Sequence, residues 1–180
     1  MKSEKPKTIC NITRIYTCLG EMVICATDRG ICMFEYADSK LIDKELRQLV
    51  VSLDAIFLEG ENAHIETLKL QLDEYFKGER KYFDVPMYLV GTEFQKQVWI
   101  SLLKIPYGST TTYGKQAAQL GKPSAVRAVA NANGKNKISI ILPCHRVIGA
   151  DGGLTGYGGG IWRKKKLLEF EKNMDTLKKL

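Results

Sequence analysis

The chain has 180 residues, of which 44% are hydrophobic and 26% charged, a composition typical of one or two small globular domains. No stretch approaches the roughly 20 apolar residues that span a bilayer, and the charged residues 1–7 lack the apolar core of a signal peptide, so we expect a cytoplasmic protein with no membrane contact. The net charge of +7 favours a polyanionic partner, although an excess of this size also promotes solubility.

The first half of the chain is predicted to be an α/β domain with a small antiparallel sheet plus helices. Within residues 10–36, three β-rich runs separated by turn signals predict an antiparallel meander. Two helical patterns follow, around 42–53 and 65–76, with apolar residues at i, i+3 and i+4. A proline-containing connection comes next, so we divide the chain into an N-terminal α/β domain, 1–88, and a C-terminal domain, 89–180.

The second half is predicted to be mostly α-helical and to contain a helix-turn-helix. Thr92, followed three residues later by a glutamine, forms a capping box that predicts a helix start. Tyr113 leads into a short helix ended by Gly121, and Ser124 is a good N-cap for a second helix, 125–132. Two short helices joined by a tight glycine-containing turn are typical of this motif, although the alanine-rich second helix also suits ordinary core packing.

A cysteine and a histidine follow a nearly all-apolar run, 138–142, which predicts a short buried strand. A free cysteine has a pKa of about 8.5 and is mostly protonated at neutral pH unless a neighbour stabilises its thiolate. Consecutive strand side chains point to opposite faces, so Cys144 and His145 meet only if Pro143 bends the chain or a water bridges them. A small buried hydrophobic residue is the alternative interpretation of Cys144. A cysteine-protease site is disfavoured, because the other histidine, His64, lies in a charged helix of the first half.

Residues 143–147, with the letters PCHRV, resemble the signature of the O6-alkylguanine-DNA alkyltransferases, also called methylated-DNA-protein-cysteine methyltransferases. The resemblance extends from Thr92 to Glu171, whereas the first half resembles the family only in layout. Its shorter motifs occupy 94–99, 105–108, 112–114, 125–129 and 158–160. It implies a monomeric DNA repair protein without a cofactor, which flips an O6-alkylguanine out of double-stranded DNA and transfers the alkyl group once to its own cysteine. O4-alkylthymine is a second candidate substrate.

The resemblance also implies roles for individual residues. Cys144 is the nucleophile, His145 is the base that removes its proton through a water, and Glu171 is the carboxylate that orients the histidine. Tyr113 protonates or hydrogen-bonds the departing base and crowds the DNA phosphate. Arg127 fills the gap that the flipped base leaves in the stack. The other expected DNA contacts belong to the helix-turn-helix and are Ser124, Ala128 and Asn131.

A glycine-rich segment, 149–160, resembles the lid on the family's base pocket, where Tyr157 is a wall and the Gly158 amide reaches the guanine oxygen. A phosphate-binding loop is excluded, because no Gly-Lys-Ser/Thr sequence ends the segment. The basic run 163–166 is expected to be a solvated face. Further pocket residues are Val147, Asn136, which ties together the turn before the cysteine, and Lys164, near the pocket mouth.

The cysteines do not form the pattern of a metal site. Their number, five, is odd, and no CxxC pair is present, which indicates free thiols in a reducing compartment. Some relatives bind a structural zinc in the first half, and Cys32 falls near one such position, but the required histidines are missing. We therefore predict no metal. Ser139 replaces a proline found in some relatives, which predicts a less rigid pocket edge.

Two other functions are compatible with parts of this pattern. A non-enzymatic DNA-binding protein that recognises alkylated bases is the main alternative, but relatives of that kind lack the cysteine that is present here as Cys144. A transcriptional regulator built on the helix-turn-helix is the other. It is disfavoured, because the chain has no second DNA-binding unit and no obvious effector domain.

Overall fold

The computed structural model describes residues 7–173, so only Lys7 of the charged N-terminal run is included. An α/β half precedes a mostly helical half, as the sequence predicted. The elements of the first half are β1 (Thr8–Thr17), β2 (Gly20–Thr27), β3 (Gly30–Tyr36), α1 (Ile42–Leu53), β4 (Ala55–Glu59) and α2 (Ala63–Lys77). The four strands form one sheet in the order β3-β2-β1-β4.

Strands β1, β2 and β3 form the predicted antiparallel meander. Strand β4 was not predicted, and its parallel pairing with β1 makes the sheet mixed. It has five residues and starts directly after Asp54, whose left-handed φ of 47° ends α1. Its apolar residues continue the apolar pattern of α1 without a clear period of two, so periodicity did not separate the strand from the helix.

Both faces of the sheet are covered, which explains why β2 and β3 are almost entirely buried. Along β2, Val23 packs in a cluster with Leu49 of α1, whereas Ile24 packs with Leu68 of α2. Neighbouring residues of a strand point to opposite faces, so α1 covers one face and α2 the other.

The second half contains four helices and a two-stranded parallel sheet among the described residues. They are α3 (Glu93–Leu102), β5 (Thr111–Thr112), α4 (Tyr113–Gln119), α5 (Val126–Asn133), β6 (Val147–Ile148) and α6 (Ile161–Lys172). Thr92 and Gln95 form the predicted capping box at the start of α3. No helix within residues 7–173 is long and apolar enough to cross a membrane.

Helices α4 and α5 form the predicted helix-turn-helix and pack with α3 around Val98, Ala117 and Val129. Gly121 ends α4 as predicted, with a left-handed φ of 70° that suits glycine. The N-cap prediction for Ser124 is wrong, because α5 begins at Val126 and has no side-chain cap. A backbone hydrogen bond across the preceding turn, from the Ala125 amide to the Lys122 carbonyl, orders the helix entry instead.

The run before Cys144 is not a strand, contrary to the prediction. Ile138 forms one isolated parallel bridge with Phe34, and the chain then turns back on itself. Ile140 has a left-handed φ of 71°, and the Leu142 amide donates to the Ile138 carbonyl at 3.1 Å. The apolar side chains are buried as a strand's would be. Burial alone does not distinguish a strand from a tight turn, since both hide apolar residues.

The largest apolar cluster joins the two halves. Phe34 of β3 packs in one cluster with Trp99 of α3 and Phe170 of α6. The Phe34 amide donates to the Lys137 carbonyl at 2.8 Å, and the Ser139 amide donates to the Phe34 carbonyl at 2.7 Å. Strand β3 therefore lies directly against the turn that precedes the cysteine. The division of the chain at residue 88 stays a prediction.

Candidate active site

Cys144 begins a 3-10 turn, Cys144–Arg146, that follows Pro143. The residue is only 6% exposed, and its sulfur accepts a hydrogen bond from Asn136 Nδ2 at 3.3 Å. Burial raises the pKa of the thiol to about 11, opposed by the Asn136 hydrogen bond and by the charge of Lys164. The thiol is therefore protonated at neutral pH, and nucleophilic chemistry requires a base.

Asn136 holds together the turn that precedes Cys144. Its side-chain oxygen accepts from the Ile138 amide at 2.9 Å, and its nitrogen donates to the Leu142 carbonyl at 2.9 Å. The same nitrogen contacts the sulfur of Cys144. One buried amide thus joins both ends of the turn to the thiol, which fixes the position of the sulfur.

His145 and Glu171 are in direct contact. The imidazole is completely buried, and its Nε2 lies 2.8 Å from Glu171 Oε1. Burial lowers the pKa of His145, so the ring is neutral near pH 7 and donates its Nε2 proton to the carboxylate. Among the described residues, Nδ1 of His145 has no hydrogen-bond partner. This nitrogen is then the ring atom that is able to accept a proton.

Five hydrogen bonds converge on the Glu171 carboxylate. Besides His145, Arg146 donates through Nε and Nη2 at 2.9 Å each, the Tyr75 hydroxyl at 2.8 Å and the Gly108 amide at 3.2 Å. Burial alone would raise the pKa of Glu171, but the hydrogen bonds and positive charge of its partners hold the pKa well below its usual range. The carboxylate stays ionised, which fixes the tautomer and orientation of His145.

Lys164 lies beneath the glycine-rich segment and is completely buried. Its ammonium donates to the carbonyls of Val147 and Thr155, both at 2.6 Å. The Tyr113 hydroxyl donates to the same Thr155 carbonyl at 3.0 Å. Three predicted site residues, Tyr113, Val147 and Lys164, are thus brought together. Burial lowers the pKa of Lys164 to about 8, although the charge interaction with Cys144 acts in the opposite direction.

The basic run 163–166 is not a solvated face, so that prediction is wrong. Arg163 is 6% exposed, and its guanidinium pairs with Asp38 at 2.8 Å while donating to the Leu19 and Gly159 carbonyls. Lys164 is buried as described, whereas Lys165 is exposed. Buried cations are tolerated where carbonyl or carboxylate partners surround them, and a run of basic letters does not reveal such partners.

Tyr157 is buried in the glycine-rich segment, and its hydroxyl lies 3.4 Å from that of Tyr36 on β3. Gly158 is exposed. A Cβ at Gly159 would collide with the Tyr36 ring, so only glycine allows the segment to pass so close to β3. The first half of the chain therefore contributes directly to the surroundings of Cys144.

Four of the five residues predicted to contact DNA are exposed on α5 or next to it, and the fifth, Tyr113, is half-buried. Arg127, Ala128 and Asn131 are exposed on α5, and Ser124 is exposed just before it. The opposite face of α5 is buried through Val129, Ala132 and Asn133. Because residues four apart lie on one side of a helix, Arg127 and Asn131 point the same way.

All five cysteines are free. Cys10 and Cys32 lie close together, with their sulfurs 3.7 Å apart in the core of the first half. Within the part of the chain that the structure describes, no group of three or more His, Cys, Asp or Glu residues is arranged to hold a metal ion.

Sequence reasoning did not assign three residues of this region. Arg146 lies inside the PCHRV motif, directly after the cysteine and the histidine. This position could have indicated that Arg146 belongs to the site. Tyr75 was seen only as part of an apolar stripe, because nothing in a helical pattern shows that its hydroxyl reaches Glu171. Glu35 lies on the buried strand β3, and its carboxylate accepts a hydrogen bond from Ser139. The sequence gives no sign of this contact.

The sequence matches two family models. Residues 93–173 match the DNA-binding domain of 6-O-methylguanine DNA methyltransferase. Residues 13–89 match the ribonuclease-like domain of the same family. Together the two matches cover most of the chain, including the first half, where the sequence alone showed only a similar layout.

Individual relatives agree with these matches. A Mycobacterium tuberculosis methylated-DNA–protein-cysteine methyltransferase is 62% identical over 103 residues, which cover 57% of this chain and 62% of that protein. A Methanosarcina barkeri protein of the same name is 39% identical over 155 residues, or 86% of this chain and 92% of that protein. The crystal structure of Mycobacterium tuberculosis OGT in complex with DNA superposes with a TM-score of 0.77 at 40% identity, covering 94% of this chain and 98% of that one.

Proposed function

Because the chain belongs to the 6-O-methylguanine DNA methyltransferase family, we propose that it repairs duplex DNA by moving the alkyl group of an O6-alkylguanine to Cys144. The observation that supports this proposal is the turn Cys144–Arg146, in which the cysteine directly precedes the histidine of a buried His145–Glu171 pair. S-alkylcysteine is a stable thioether, so each molecule acts once.

The reaction starts with removal of the thiol proton, because a pKa of about 11 leaves Cys144 protonated. His145 Nε2 is bound to Glu171, so Nδ1 accepts the proton, with a water as the bridge. The carboxylate stabilises the imidazolium that results, and the imidazolium stabilises the thiolate. Lys164 adds a second positive charge that favours the thiolate.

The transfer itself is a displacement at the alkyl carbon. The thiolate forms the new sulfur–carbon bond as the bond between that carbon and guanine O6 breaks, and the electron pair leaves with the base. The departing guanine takes up a proton, for which the Tyr113 hydroxyl is the proposed donor. This leaves His145 with an extra proton and Tyr113 without one, and transfer of a proton from the imidazolium to the tyrosinate through water restores both side chains. The products are S-alkylcysteine and unmodified guanine.

The helix-turn-helix is the proposed DNA-binding element. The small residue Ala128 allows α5 to approach the duplex closely, while Ser124 and Asn131 contact the backbone or base edges. Arg127 is proposed to enter the stack where the alkylated base has rotated out. Removing a damaged base from the stack costs less than removing a normal one, which favours lesions.

A flipped base must come close to a sulfur that is only 6% exposed. The surrounding side chains therefore have to shift, and the glycine-rich segment is the proposed moving part, with Tyr157 as a wall and the Gly158 amide as the donor to guanine O6. Hydrogen bonds from Tyr113 and Lys164 to the Thr155 carbonyl tie the segment to α4 and α6, and the proposed movement breaks them. We extend the proposal to O4-alkylthymine as a further substrate and to action as a monomer in the cytoplasm.

A label-transfer assay tests the function. Duplex DNA with radiolabelled O6-methylguanine is incubated with the wild type, Cys144→Ser and Cys18→Ser. Cys18 is the exposed cysteine, so it would be the preferred target of unassisted alkylation. We expect the wild type and Cys18→Ser to take up at most one labelled group per chain, and Cys144→Ser to take up none.

Label that stays on the DNA would contradict the proposal. If the wild type nevertheless bound the methylated duplex more tightly than the unmodified one, non-enzymatic recognition of alkylated bases would replace it. Equal uptake by Cys144→Ser and the wild type would move the acceptor to another residue. The same assay with O4-methylthymine decides whether that base is a substrate.

A further inference from the structure

A second buried carboxyl lies near Cys144 and has no part in the transfer described above. Glu35 of β3 is 3% exposed. Its Oε1 accepts from the Tyr36 amide at 2.8 Å, and its Oε2 accepts from the Ser139 hydroxyl at 2.9 Å. Both partners are neutral, so the side chain is hydrogen-bonded without being paired to a cation at these atoms.

The contacts of Glu35 place it beside the proposed base pocket. Ser139 belongs to the turn that Asn136 holds against the sulfur of Cys144. A Cβ built on Gly158 would lie 3.9 Å from Glu35 Oε2, so the carboxyl also faces the glycine-rich segment. The turn before Cys144 and the glycine-rich segment therefore both lie against the Glu35 carboxyl.

The charge of Glu35 depends on pH in the neutral range. Burial raises the pKa of Glu35 to about 7, against the hydrogen bonds from Tyr36 and Ser139. Its ionised form raises the pKa of Cys144. The titratable or charged groups that interact with Glu35 are Glu45 of α1, Arg163 of α6, Tyr36 of β3, Tyr157 of the glycine-rich segment and Cys144 itself.

We propose that Glu35 is a specificity-determining residue, whose carboxylate makes the site select neutral alkyl groups over anionic ones such as carboxymethyl. The inference rests on the proposed function, because it concerns the group that Cys144 receives. An anionic substituent delivered to Cys144 comes near a buried carboxylate, where little solvent screens like charges. A methyl group carries no charge and meets no such repulsion.

The test compares two duplexes of one sequence, with O6-methylguanine or O6-carboxymethylguanine at the same position. Single-turnover transfer rates are measured from pH 5.5 to pH 8.5 for the wild type and Glu35→Gln. The ratio of the two rates removes effects on thiol ionisation, since both substrates use the same sulfur. We expect Glu35→Gln to raise the carboxymethyl-to-methyl ratio about tenfold at pH 8 and to leave it unchanged at pH 5.5, where Glu35 is protonated.

Two further variants keep the test informative. Glu45→Gln is the matched control, because Glu45 is also a buried carboxyl of the first half but has no contact with Ser139 or Gly158. Its carboxymethyl-to-methyl ratio is expected to match the wild type at pH 5.5 and at pH 8.5. The charge of Glu45 raises the pKa of Glu35, so in this control the discrimination should only begin at a slightly lower pH. Ser139→Ala retains the carboxyl and removes a hydrogen bond that lowers the pKa of Glu35. Discrimination against carboxymethyl should then begin at a higher pH than in the wild type.

Equal ratios in the wild type and Glu35→Gln at every pH, with methyl transfer intact, would overturn this inference and leave the proposed function standing. An unchanged pH midpoint in Ser139→Ala would also count against it. A wild-type protein that transfers no methyl group to Cys144 would overturn the proposed function, and the inference with it.

Discussion

The surroundings of Cys144 contain two buried glutamates whose charges are compensated to different degrees. On the side of α6, Glu171 has a guanidinium, an imidazole, a hydroxyl and an amide as donors, and its pKa is held low. On the side of β3, Glu35 has one hydroxyl and one amide, and burial raises its pKa to about 7. Both residues are buried, so burial does not explain why their pKa values differ. A direct cationic partner such as Arg146 is what keeps a buried carboxyl charged.

The largest effect is expected when the charge of Glu171 is removed. Glu171→Gln leaves the Arg146 guanidinium buried without its carboxylate and removes the acceptor that orients His145. We expect the free energy of unfolding to fall by about 3–5 kcal/mol. In protein that remains folded, methyl transfer should slow by about 100-fold. Chemical denaturation and single-turnover assays measure the two effects.

The control for that variant is Glu169→Gln on the same helix, whose carboxylate is partly exposed and lies 3.8 Å from Lys165. Its stability and rate should stay close to those of the wild type, since exposed pairs contribute little. If both variants behaved alike, the network around Glu171 would have no special importance.

The second prediction concerns Glu35, which has no cationic hydrogen-bond partner. The pKa of Glu35 is about 7 in the folded protein against an ordinary value of 4.5, so the unfolded chain releases its proton first as the pH rises. Wild-type stability should therefore fall between pH 4.5 and pH 7 relative to Glu35→Gln, which has no proton to lose. The two pKa values correspond to about 3 kcal/mol. Urea denaturation at pH 4.5 and pH 7.5 measures the difference, and a gap that does not change with pH would contradict it.

The third prediction separates base flipping from the transfer reaction at Cys144. Arg127 is exposed on α5 and is not one of the residues that surround the thiol. Arg127→Ala should slow repair of O6-methylguanine in duplex DNA by about tenfold, because the vacated stack is no longer filled. Its reaction with free O6-benzylguanine should match that of the wild type. An equal loss of rate on the duplex and on free O6-benzylguanine would contradict the proposed role of Arg127 in base flipping.

The smallest expected effect is on the rate of methyl transfer in Glu35→Gln. Ionised Glu35 raises the pKa of Cys144, so its neutral replacement makes the thiolate easier to form. We expect a gain of about threefold at pH 8 and none at pH 6, where the wild-type carboxyl is mostly protonated. A pH–rate profile on O6-methylguanine duplex shows the difference, and a gain of equal size at both pH values would rule out this cause.

The sequence predicted well those features that depend on local pattern. The capping box of Thr92, the glycine that ends α4 and the three-stranded meander all follow from residues close together in the chain. The PCHRV motif predicted Cys144 and His145 as site residues, and their roles stay a prediction. The fold does bring Glu171 into contact with His145.

Features that depend on distant contacts were missed or wrong. Residues 138–142 have the letters of a strand, but only Ile138 finds a bridge partner, and Asn136 closes the run into a turn. Lys164 and Arg163 have the letters of a solvated face, but carbonyl and carboxylate partners bury them. Glu35 reaches Ser139 across more than a hundred residues, a contact that no local pattern contains.

Mass spectrometry of the intact protein after exposure to an excess of O6-methylguanine duplex measures whether Cys144 is the single acceptor of the methyl group. We expect the protein to gain the mass of one methyl group, digestion to locate this group on Cys144, and Cys144→Ser to gain nothing. A methyl group on another cysteine, more than one group per chain, or an unchanged mass would contradict this expectation.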